Sequence, residues 1–339
     1  MESWRHRKTL ILSRADMVGL LEPEEYNDCV EQAFRMFGEG RVYMEPKGHI
    51  VLDRYPGEWE IMPSYIEEPE SAACKWVSIR FDNRARFDLP TVFSILVYTD
   101  PETGFPLMIC DGSHHTNMRT DASAAVSAKW LARRDSKVLA IVGAGDSARG
   151  AVKCCRSVFP WDEIRVWSRS EETLREFSEE AAPFLASGSA ILRTFSDLEE
   201  TVRGADVVVT VTPSQSWLVD EDWISPGTHL ACIGGGLAGS QELDPRILKR
   251  ARIFTDDIRQ CRDDGEINIP LRNGEVTLDD IAGDFGPVVA GTLEGRQSDD
   301  QVTVFDSTGI ALQDSATVPL EYERAVAAGV GIEKKMIST

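Results

Sequence analysis

The sequence predicts an α/β protein of two domains, one of them built on a parallel, doubly wound sheet. Its 339 residues are enough for two hydrophobic cores. From residue 137 onward, strand and helix patterns alternate, which is typical of a parallel sheet covered by helices. Residues 41–110 carry several strand patterns with no helix pattern between them, which indicates an antiparallel or mixed sheet.

The individual elements follow from hydrophobic periodicity and from the positions of proline and glycine. In the first part we predict strands at Thr9–Leu12, Gly48–Leu52, Trp59–Met62, Cys74–Ser78 and Thr91–Thr99, and a helix over Tyr26–Phe37. In the second part we predict strands at Lys137–Val142, Ile164–Trp167, Ile191–Thr194, Val207–Val211, His229–Ile233, Ile253–Thr255 and Val302–Phe305, and helices over Ala122–Arg133, Arg149–Val158, Ser170–Phe184, Leu198–Val202 and Pro245–Arg250. A last helix, Gln313–Ala328, is expected to return to the N-terminal domain.

The composition excludes several classes of protein. A net charge of −20 disfavours nucleic acid as a partner. No apolar stretch approaches the roughly 18 residues of a membrane helix, and the N-terminus lacks the features of a signal peptide. The seven cysteines include no CxxC pair and the five histidines show no ligand spacing, so we expect reduced thiols and no metal site. These features together predict a cytoplasmic protein.

A glycine-rich turn, Gly143-Ala144-Gly145-Asp146-Ser147-Ala148, lies between a predicted strand and a predicted helix. In a dinucleotide-binding turn, the first glycine permits the sharp bend and the second lets a pyrophosphate approach the backbone, while a small third residue lets helix and strand pack closely. Gly143, Gly145 and Ala148 would take these places, with Asp146 and Ser147 at the helix N-terminus. The alternative is a glycine-rich turn in another kind of doubly wound protein.

The end of the second predicted strand of this domain favours NADP(H) over NAD(H). NAD enzymes usually place an acidic side chain here, which accepts a hydrogen bond from the ribose 2′-hydroxyl. This chain has Ser168-Arg169-Ser170 instead, and an arginine between two hydroxyl groups suits a 2′-phosphate. A solvated arginine at a strand end is the alternative.

Further segments occur in a characteristic order along the chain. Before the glycine turn they are Pro46-Lys47, Glu60–Tyr65, Cys74–Val77, Leu89–Val92, Asp100–Pro106 and Met118–Thr120, and after it they are Thr210–Ser214, Gln241–Asp244 and Phe305–Gly309. With these segments the chain resembles the ornithine cyclodeaminase/mu-crystallin family over nearly its whole length. Within the family it is most similar to the archaeal alanine dehydrogenase branch.

The resemblance implies a homodimer whose chains have two domains. Residues 1–117 and 314–339 would form the substrate-binding and dimerisation domain, and residues 118–313 the Rossmann domain. It also implies hydride transfer between a small amino acid and its imine. Reductases and dehydrogenases of the family stop there or hydrolyse the imine, whereas cyclodeaminases trap it with the substrate's side-chain amine and recycle the cofactor.

An amino or imino acid carries a carboxylate, so its pocket needs fixed cations. Lys47, Lys75 and Arg119 stand where the family places its carboxylate-binding residues, and an arginine can bind a carboxylate through two parallel hydrogen bonds. Lys75 also lies in an apolar strand, where a lowered pKa would let it exchange protons with the reacting nitrogen. A strand-edge lysine that faces water is the alternative for Lys75.

Several residues next to Arg119 or at the carboxyl ends of predicted strands are expected to contact the cofactor, because open parallel sheets bind ligands at that edge. They are Thr120, Thr212, Ser214, Ile233, Ser307 and Thr308. For each residue of this set that carries a hydroxyl group, the alternative is a structural role, as a helix cap or a turn residue.

The chain departs from the family after the predicted strand that ends at Ile233. The family usually has Gly-x-Asp there, and that aspartate is the acid/base for the imine. This chain has Gly236 at the aspartate's place, and glycine cannot move a proton. His115, its neighbour His114 and Asp121 are the candidates to replace it, with two structural histidines and a helix-capping aspartate as the alternatives.

Glu60 is a second departure. The alanine dehydrogenase branch has an arginine there, while ornithine and lysine cyclodeaminases have a glutamate. A carboxylate in the pocket would pair with a substrate cation such as a distal amine, and a surface glutamate is the alternative.

Three functions therefore compete. The first is an NADP(H)-dependent imine reductase or amino-acid dehydrogenase acting on an α-imino acid. The second is a cyclodeaminase with a recycled cofactor, which Glu60 favours and Gly236 disfavours. The third is a non-catalytic NADPH-binding protein that has lost turnover at Gly236.

Overall fold

The computed structural model describes residues 7–185, 190–236 and 238–337. The chain divides into two compact units. Unit 1 consists of Met1–Met36, Gly40–Arg119 and Ile310–Thr339, and unit 2 consists of Phe37–Glu39 and Thr120–Gly309. Each unit has its own sheet, and the α/β class predicted from the sequence is confirmed.

The strands and helices of the described residues are numbered in chain order. The strands are β1 (Thr9–Leu12), β2 (Val42–Met44), β3 (Gly48–Val51), β4 (Gly57–Glu67), β5 (Glu70–Arg80), β6 (Val92–Thr99), β7 (Pro106–Asp111), β8 (Val138–Val142), β9 (Glu163–Trp167), β10 (Ile191–Phe195), β11 (Val207–Thr210), β12 (Gln215–Val219), β13 (His229–Cys232), β14 (Gln241–Leu243), β15 (Arg252–Thr255), β16 (Ile281–Asp284), β17 (Thr303–Asp306) and β18 (Ile332–Lys334). The helices are α1 (Arg14–Met17), α2 (Pro23–Gly38), α3 (Asn83–Phe87), α4 (Ser113–Leu131), α5 (Asp146–Cys155), α6 (Glu171–Leu185), α7 (Leu198–Val202), α8 (Pro245–Arg250), α9 (Ile258–Asp264), α10 (Asn268–Asn273), α11 (Phe285–Val289) and α12 (Ala311–Ala328).

Unit 1 is built on a mixed sheet, as the strand run of residues 41–110 predicts. Its order is β18-β1-β7-β6-β5-β4-β2, with β3 also paired to β4. Only the β1–β7 pair is parallel within this described sheet. Along β4 and β5, buried and more exposed side chains alternate, because successive residues of a strand point to opposite faces. Helix α12 packs against β4 and β5 and covers the buried face.

Unit 2 is built on a parallel sheet whose described strands run β10-β9-β8-β11-β13-β17-β15-β16. The side chains of β11 and β13 are buried throughout, which is typical of a parallel sheet covered on both faces. The strand order reverses between β8 and β11, and such a switch point opens a crevice at the carboxyl ends of the strands. The glycine turn follows β8 at this place.

The largest error in a predicted boundary lies at the start of α4. The helix expected over Ala122–Arg133 begins at Ser113, so Asp121 lies inside α4 and does not cap it. The first turns of α4 are polar in sequence, so hydrophobic periodicity did not indicate a helix there. His115 and Met118 are nevertheless buried, because other parts of the chain pack against them. Among the helices of the described residues, none combines the length and apolar composition needed to span a bilayer.

Candidate functional site

Lys75 lies on the buried face of β5 and has no exposed surface. Its Nζ donates a hydrogen bond of 3.0 Å to Asp314 Oδ1, on helix α12. A buried ammonium group needs such a partner, because the loss of water alone would strongly destabilise it. The alternative of a lysine that faces water is therefore wrong.

Helix α4 brings two more basic groups to the same carboxylate. His115 and Arg119 are four residues apart, so they share one face of the helix. Arg119 Nε lies 2.9 Å from Asp314 Oδ1 and His115 Nε2 lies 3.2 Å from it. Arg119 Nη1 also donates to Gln313 Oε1 at 2.6 Å. Three basic side chains thus converge on one carboxylate oxygen.

The other ring nitrogen of His115 faces a second carboxylate. His115 Nδ1 lies 2.7 Å from Glu321 Oε2, and the Tyr26 hydroxyl donates to Glu321 Oε1 at 2.8 Å. Glu321 follows Asp314 by seven residues, which is two turns of α12, so both carboxylates project from one face. We call the five ionisable residues Lys75, His115, Arg119, Asp314 and Glu321 the charge cluster. All five are at most 3% exposed.

The charge cluster sets the protonation of its members. Burial by itself would raise the pKa of Asp314, but Arg119, Lys75 and His115 outweigh it and hold that pKa below its usual range. Burial, assisted by the charge of Arg119, lowers the pKa of Lys75 to about 8. Burial would lower the pKa of His115, but Glu321 and Asp314 raise it to about 9.

Lys47 and Glu60 form a second buried pair in unit 1. Lys47 Nζ lies 3.7 Å from Glu60 Oε1, and both side chains are nearly inaccessible. The alternative interpretation, in which Glu60 is a glutamate on the protein surface, is therefore wrong. A distal amine of a substrate would have to compete with Lys47 for this carboxylate. Glu60 also acts electrostatically on Lys75, where it favours the charged ammonium.

Side chains of types that bind metals meet beside this pair. His49 Nδ1 lies 2.9 Å from Glu58 Oε2, and possible ligand atoms of His49, Glu58 and Glu60 lie within 4.8 Å of one another. The sequence spacing did not indicate this group, because the antiparallel β3–β4 register creates it by placing His49 opposite Glu60. The ammonium of Lys47 already balances the charge of Glu60.

The glycine turn of unit 2 has the geometry expected of a phosphate-binding turn. Gly143 has a φ of 125°, which favours glycine, and a Cβ there would lie 2.9 Å from Val211 Cγ2. Gly145 caps α5, and a Cβ placed on it meets nothing within 4 Å. Ala148 is fully buried, whereas Asp146 at the helix start is exposed. The open space beside Gly145 and the free N–H groups of α5 suit a pyrophosphate.

The segment after β9 contains the three residues that favoured a 2′-phosphate. The Ser168 hydroxyl accepts a hydrogen bond from the Ser170 N–H at 3.2 Å, and the Ser170 hydroxyl accepts one from the Thr173 N–H at 3.3 Å. These bonds fix the turn into α6. Arg169 between them is exposed.

Other residues predicted to contact the cofactor are tied into unit 2 by hydrogen bonds. The Thr212 hydroxyl donates to Glu242 Oε1 at 2.7 Å, and the Ser307 hydroxyl donates to Asp256 Oδ2 at 2.8 Å. The Ser214 hydroxyl donates to the Ser216 carbonyl at 2.6 Å.

Two further residues of this set, Ile233 and Thr120, use their backbone in the bonds described. The Ile233 N–H donates to the Thr210 carbonyl at 3.0 Å, and the Thr120 carbonyl accepts from Ser123 Oγ at 2.6 Å. The cofactor contacts of all these residues stay predictions.

Gly236 occupies a place that does not require glycine. A Cβ built there meets only the Thr308 carbonyl oxygen within 4 Å, at an ordinary contact distance of 3.7 Å. Its φ lies outside the left-handed region. An aspartate would therefore fit, and its absence has no backbone cause.

Sequence reasoning missed Asp314, Glu321 and Gln313. A signal was present, because two acidic residues seven apart interrupt the apolar face of the last helix. Their partners could not be inferred from it, since His115 and Lys75 precede them by about two hundred residues.

Comparison with known proteins gives relatives of full length. Over residues 7–329 the sequence matches the ornithine cyclodeaminase/mu-crystallin family. It is 35% identical to alanine dehydrogenase of Archaeoglobus fulgidus, over 97% of this chain and 98% of the relative. It is 31% identical to iminosuccinate reductase of Paracoccus denitrificans, over 96% of this chain and 99% of the relative.

Solved structures agree with these relatives. An archaeal alanine dehydrogenase dimer with bound NAD has a TM-score of 0.90 and 35% identity, covering 98% of this chain and 100% of that chain. The Δ1-pyrroline-2-carboxylate reductase of Thermococcus litoralis, in complex with NADH and L-proline, has a TM-score of 0.89 and 30% identity, covering 96% and 99%. The resemblance found from the sequence segments is confirmed, and the chain belongs to the ornithine cyclodeaminase/mu-crystallin family.

Proposed function

We propose that this protein is an NAD(P)H-dependent reductase of an α-imino acid, which in reverse is a dehydrogenase of the amino acid. The observation that carries the proposal is the buried charge cluster, in which three basic groups face two carboxylates. With all five residues charged, the cluster has a net charge of one positive unit, which one substrate carboxylate would balance. Relatives named as reductases of iminosuccinate and of Δ1-pyrroline-2-carboxylate support the same chemistry.

In this proposal Arg119 and Lys75 bind the substrate carboxylate, and Arg119 is suited to a two-point contact. Lys75, with a pKa of about 8, holds or releases a proton at its Nζ near neutral pH. The bound nicotinamide cofactor would supply the hydride. We assign substrate binding to residues 1–117 and 314–339, and cofactor binding to residues 118–313.

The glycine turn supports a dinucleotide as the cofactor, with Gly143, Gly145 and the N-terminus of α5 toward the pyrophosphate. We propose NADP(H) as the preferred form, because Arg169 is exposed after β9 and no carboxylate precedes Glu171 in that segment. Relatives are described with NAD or NADH, so this preference would distinguish the chain from them.

The direct test is turnover. The purified protein is mixed with NADPH or NADH and with pyruvate plus ammonium, oxaloacetate plus ammonium, or the cyclic imines Δ1-pyrroline-2-carboxylate and Δ1-piperideine-2-carboxylate. We expect loss of reduced-cofactor absorbance with at least one of them, and faster with NADPH. Ammonia release from ornithine or lysine without net cofactor change would instead indicate a cyclodeaminase.

Gly236 favours a second candidate, a protein that binds the reduced cofactor without turnover. The variant Gly236→Asp separates the two, because an aspartate fits at this position and would restore the family's acid. If the chain is an enzyme limited by its missing acid, the variant raises kcat by about a hundredfold, the usual contribution of a general acid. Tight NADPH binding with no turnover in either protein would support the non-catalytic candidate.

We also propose a homodimer. On the outward face of the unit 1 sheet, Trp76 and Ile95 are cross-strand neighbours with exposed fractions of 41% and 52%, and the nearby Phe93 is 37% exposed. The same face carries a groove of about 400 Å³ lined in part by Tyr65 and Cys74. A second copy would cover this apolar surface. None of the seven cysteines forms a disulfide bond, which is consistent with the cytoplasm, where we place the protein.

A further inference from the structure

His115 was a candidate proton donor, yet its environment suits a different task. Its side chain has no exposed surface, and both ring nitrogens face carboxylates, Nδ1 at 2.7 Å from Glu321 and Nε2 at 3.2 Å from Asp314. A neutral imidazole has one N–H donor and one acceptor nitrogen. Its acceptor nitrogen would therefore point at one of these carboxylates without a proton between them. Only the imidazolium donates to both.

We propose that His115 is a positioning residue: held as an imidazolium between Asp314 and Glu321, it orients the Asp314 carboxylate for Lys75 and Arg119 and supplies the positive charge that leaves the cluster able to bind an anion. With a charged His115, three cations balance two carboxylates and leave one positive charge. With a neutral His115, the cluster has no surplus.

Every charged or titratable group that faces His115 fits this assignment. Asp314 and Glu321 come from α12, Lys75 from β5 and Arg119 from the next turn of α4. Among the described residues, three further titratable groups lie near Glu321: the Tyr26 hydroxyl and the Cys29 thiol on α2, and the Cys110 thiol on β7. Burial raises the pKa of each thiol, so both stay neutral.

The hydroxyl of Tyr26 strengthens the arrangement from the far side. It donates to Glu321 Oε1 at 2.8 Å, while Oε2 faces His115. Each carboxylate oxygen of Glu321 therefore has a partner. A chain of contacts runs from Tyr26 through Glu321 and His115 to Asp314, and it ends at the two groups proposed to bind substrate.

Two spectroscopic measurements test the assignment without any substrate. In protein with isotope-labelled histidine, we expect the His115 ring to be charged at pH 7 and to lose its proton only near pH 9. His229 serves as the internal control, since it is equally buried but lies between hydroxyl groups. In protein with labelled lysine, we expect His115→Asn to raise the pKa of Lys75, because Asp314 then serves two cations instead of three.

Binding provides the third readout, and it alone rests on the proposed function. The probe is pyrrole-2-carboxylate, a stable planar monocarboxylate, titrated into the protein saturated with NADP⁺. We expect His115→Asn to weaken binding by about tenfold or more, the effect of one lost charge in a buried site. His229→Asn should leave it unchanged. Glu321→Gln, which keeps an acceptor for Nδ1 but removes the charge, should give a smaller loss and a lower pKa for His115.

A neutral His115 ring at pH 7 would overturn the proposal. So would an unchanged Lys75 pKa in His115→Asn, because the imidazolium would then exert no influence on the binding groups. If the parent protein does not bind pyrrole-2-carboxylate, the proposed function fails, while the two titrations still decide the role of His115.

Discussion

The two units bury their polar groups in opposite ways, and two histidines show the difference. His115 in unit 1 lies between two carboxylates, whereas His229 in unit 2 lies 2.9 Å from Thr303 Oγ1 and 3.1 Å from Ser127 Oγ. Both are fully buried. Burial lowers the pKa of His229 to about 3, but the carboxylates raise that of His115 to about 9. The neighbours, and not the depth of burial, decide the charge.

Acidic groups follow the same division. Asp314 in unit 1 stays ionised among its three cations. In unit 2, Glu242, Glu266 and Asp306 accept hydrogen bonds mainly from backbone N–H groups, and burial raises the pKa of all three, to about 7 for Glu242 and Asp306. The charge cluster of unit 1 therefore keeps compensated charges, whereas these three buried carboxyl groups of unit 2 shift toward their neutral form.

The substitution Asp314→Asn should have the largest effect on this difference between the two units. The amide cannot balance Lys75, Arg119 and His115, so we expect a loss of about 3–5 kcal/mol in the free energy of unfolding, as for other broken buried pairs. The pKa values of Lys75 and His115 should both fall. Urea denaturation measures the first effect and labelled-residue titration the second. Asp279→Asn, at an exposed position, is the control and should change neither.

The stability effect of His115 should depend on pH. Because its pKa is raised in the folded state from 6.5 to about 9, its contribution is complete below about pH 6.5 and is lost as pH rises through 9. We expect the stability gap between the parent and His115→Asn to shrink by about 3 kcal/mol between pH 6 and 9. A gap that stays constant in urea denaturation over this range would contradict the charged state.

His229 should show the opposite sign. Its pKa is lowered in the folded state, so its neutral form contributes stability above pH 6.5, and that contribution falls as pH drops toward 3. The gap between the parent and His229→Asn should therefore shrink by about 2 kcal/mol from pH 7 to pH 5. Measured beside His115→Asn, the two curves should slope in opposite directions. Parallel curves would show that the two environments are alike.

The smallest expected effect concerns Arg169, a cation on the surface. Arg169→Ala should weaken NADPH binding by about tenfold, the scale of one charge-assisted contact, and leave NADH binding unchanged. Nucleotide fluorescence titration measures both affinities. Arg203→Ala is the control, because Arg203 precedes β11 at the opposite edge of the sheet. Equal losses for NADH and NADPH would contradict a role in recognising the 2′-phosphate.

The sequence predicts best where the signal is local. The strand at Val138–Val142, the turn at Gly143 and the helix after it are adjacent in the chain, and the structure has all three. Short elements such as β12, β14 and α10 were not predicted, because they depend on neighbours distant in sequence. The start of α4 was missed for the same reason.

The candidate site was predictable only in part. Lys75 and Arg119 could be named from the family resemblance, and the structure brings both to Asp314. Asp314 itself was not found, because a carboxylate on a helix gives no sign of which cation it meets. The sequence also could not show that Glu60 is already paired with Lys47, since that contact depends on how the chain enters β3.

Lys75 and Asp314 are 239 residues apart, and this separation has a consequence for the growing chain. On the ribosome, the strands around Lys75 are made first, all of residues 120–309 follow, and the balancing carboxylate emerges near the end. Until Asp314 has been made, burying Lys75 would remove its ammonium group from water without providing a carboxylate partner. We therefore expect the interior of the sheet that is made first to close late, and a chain truncated before α12 to leave that sheet accessible to chaperones and proteases.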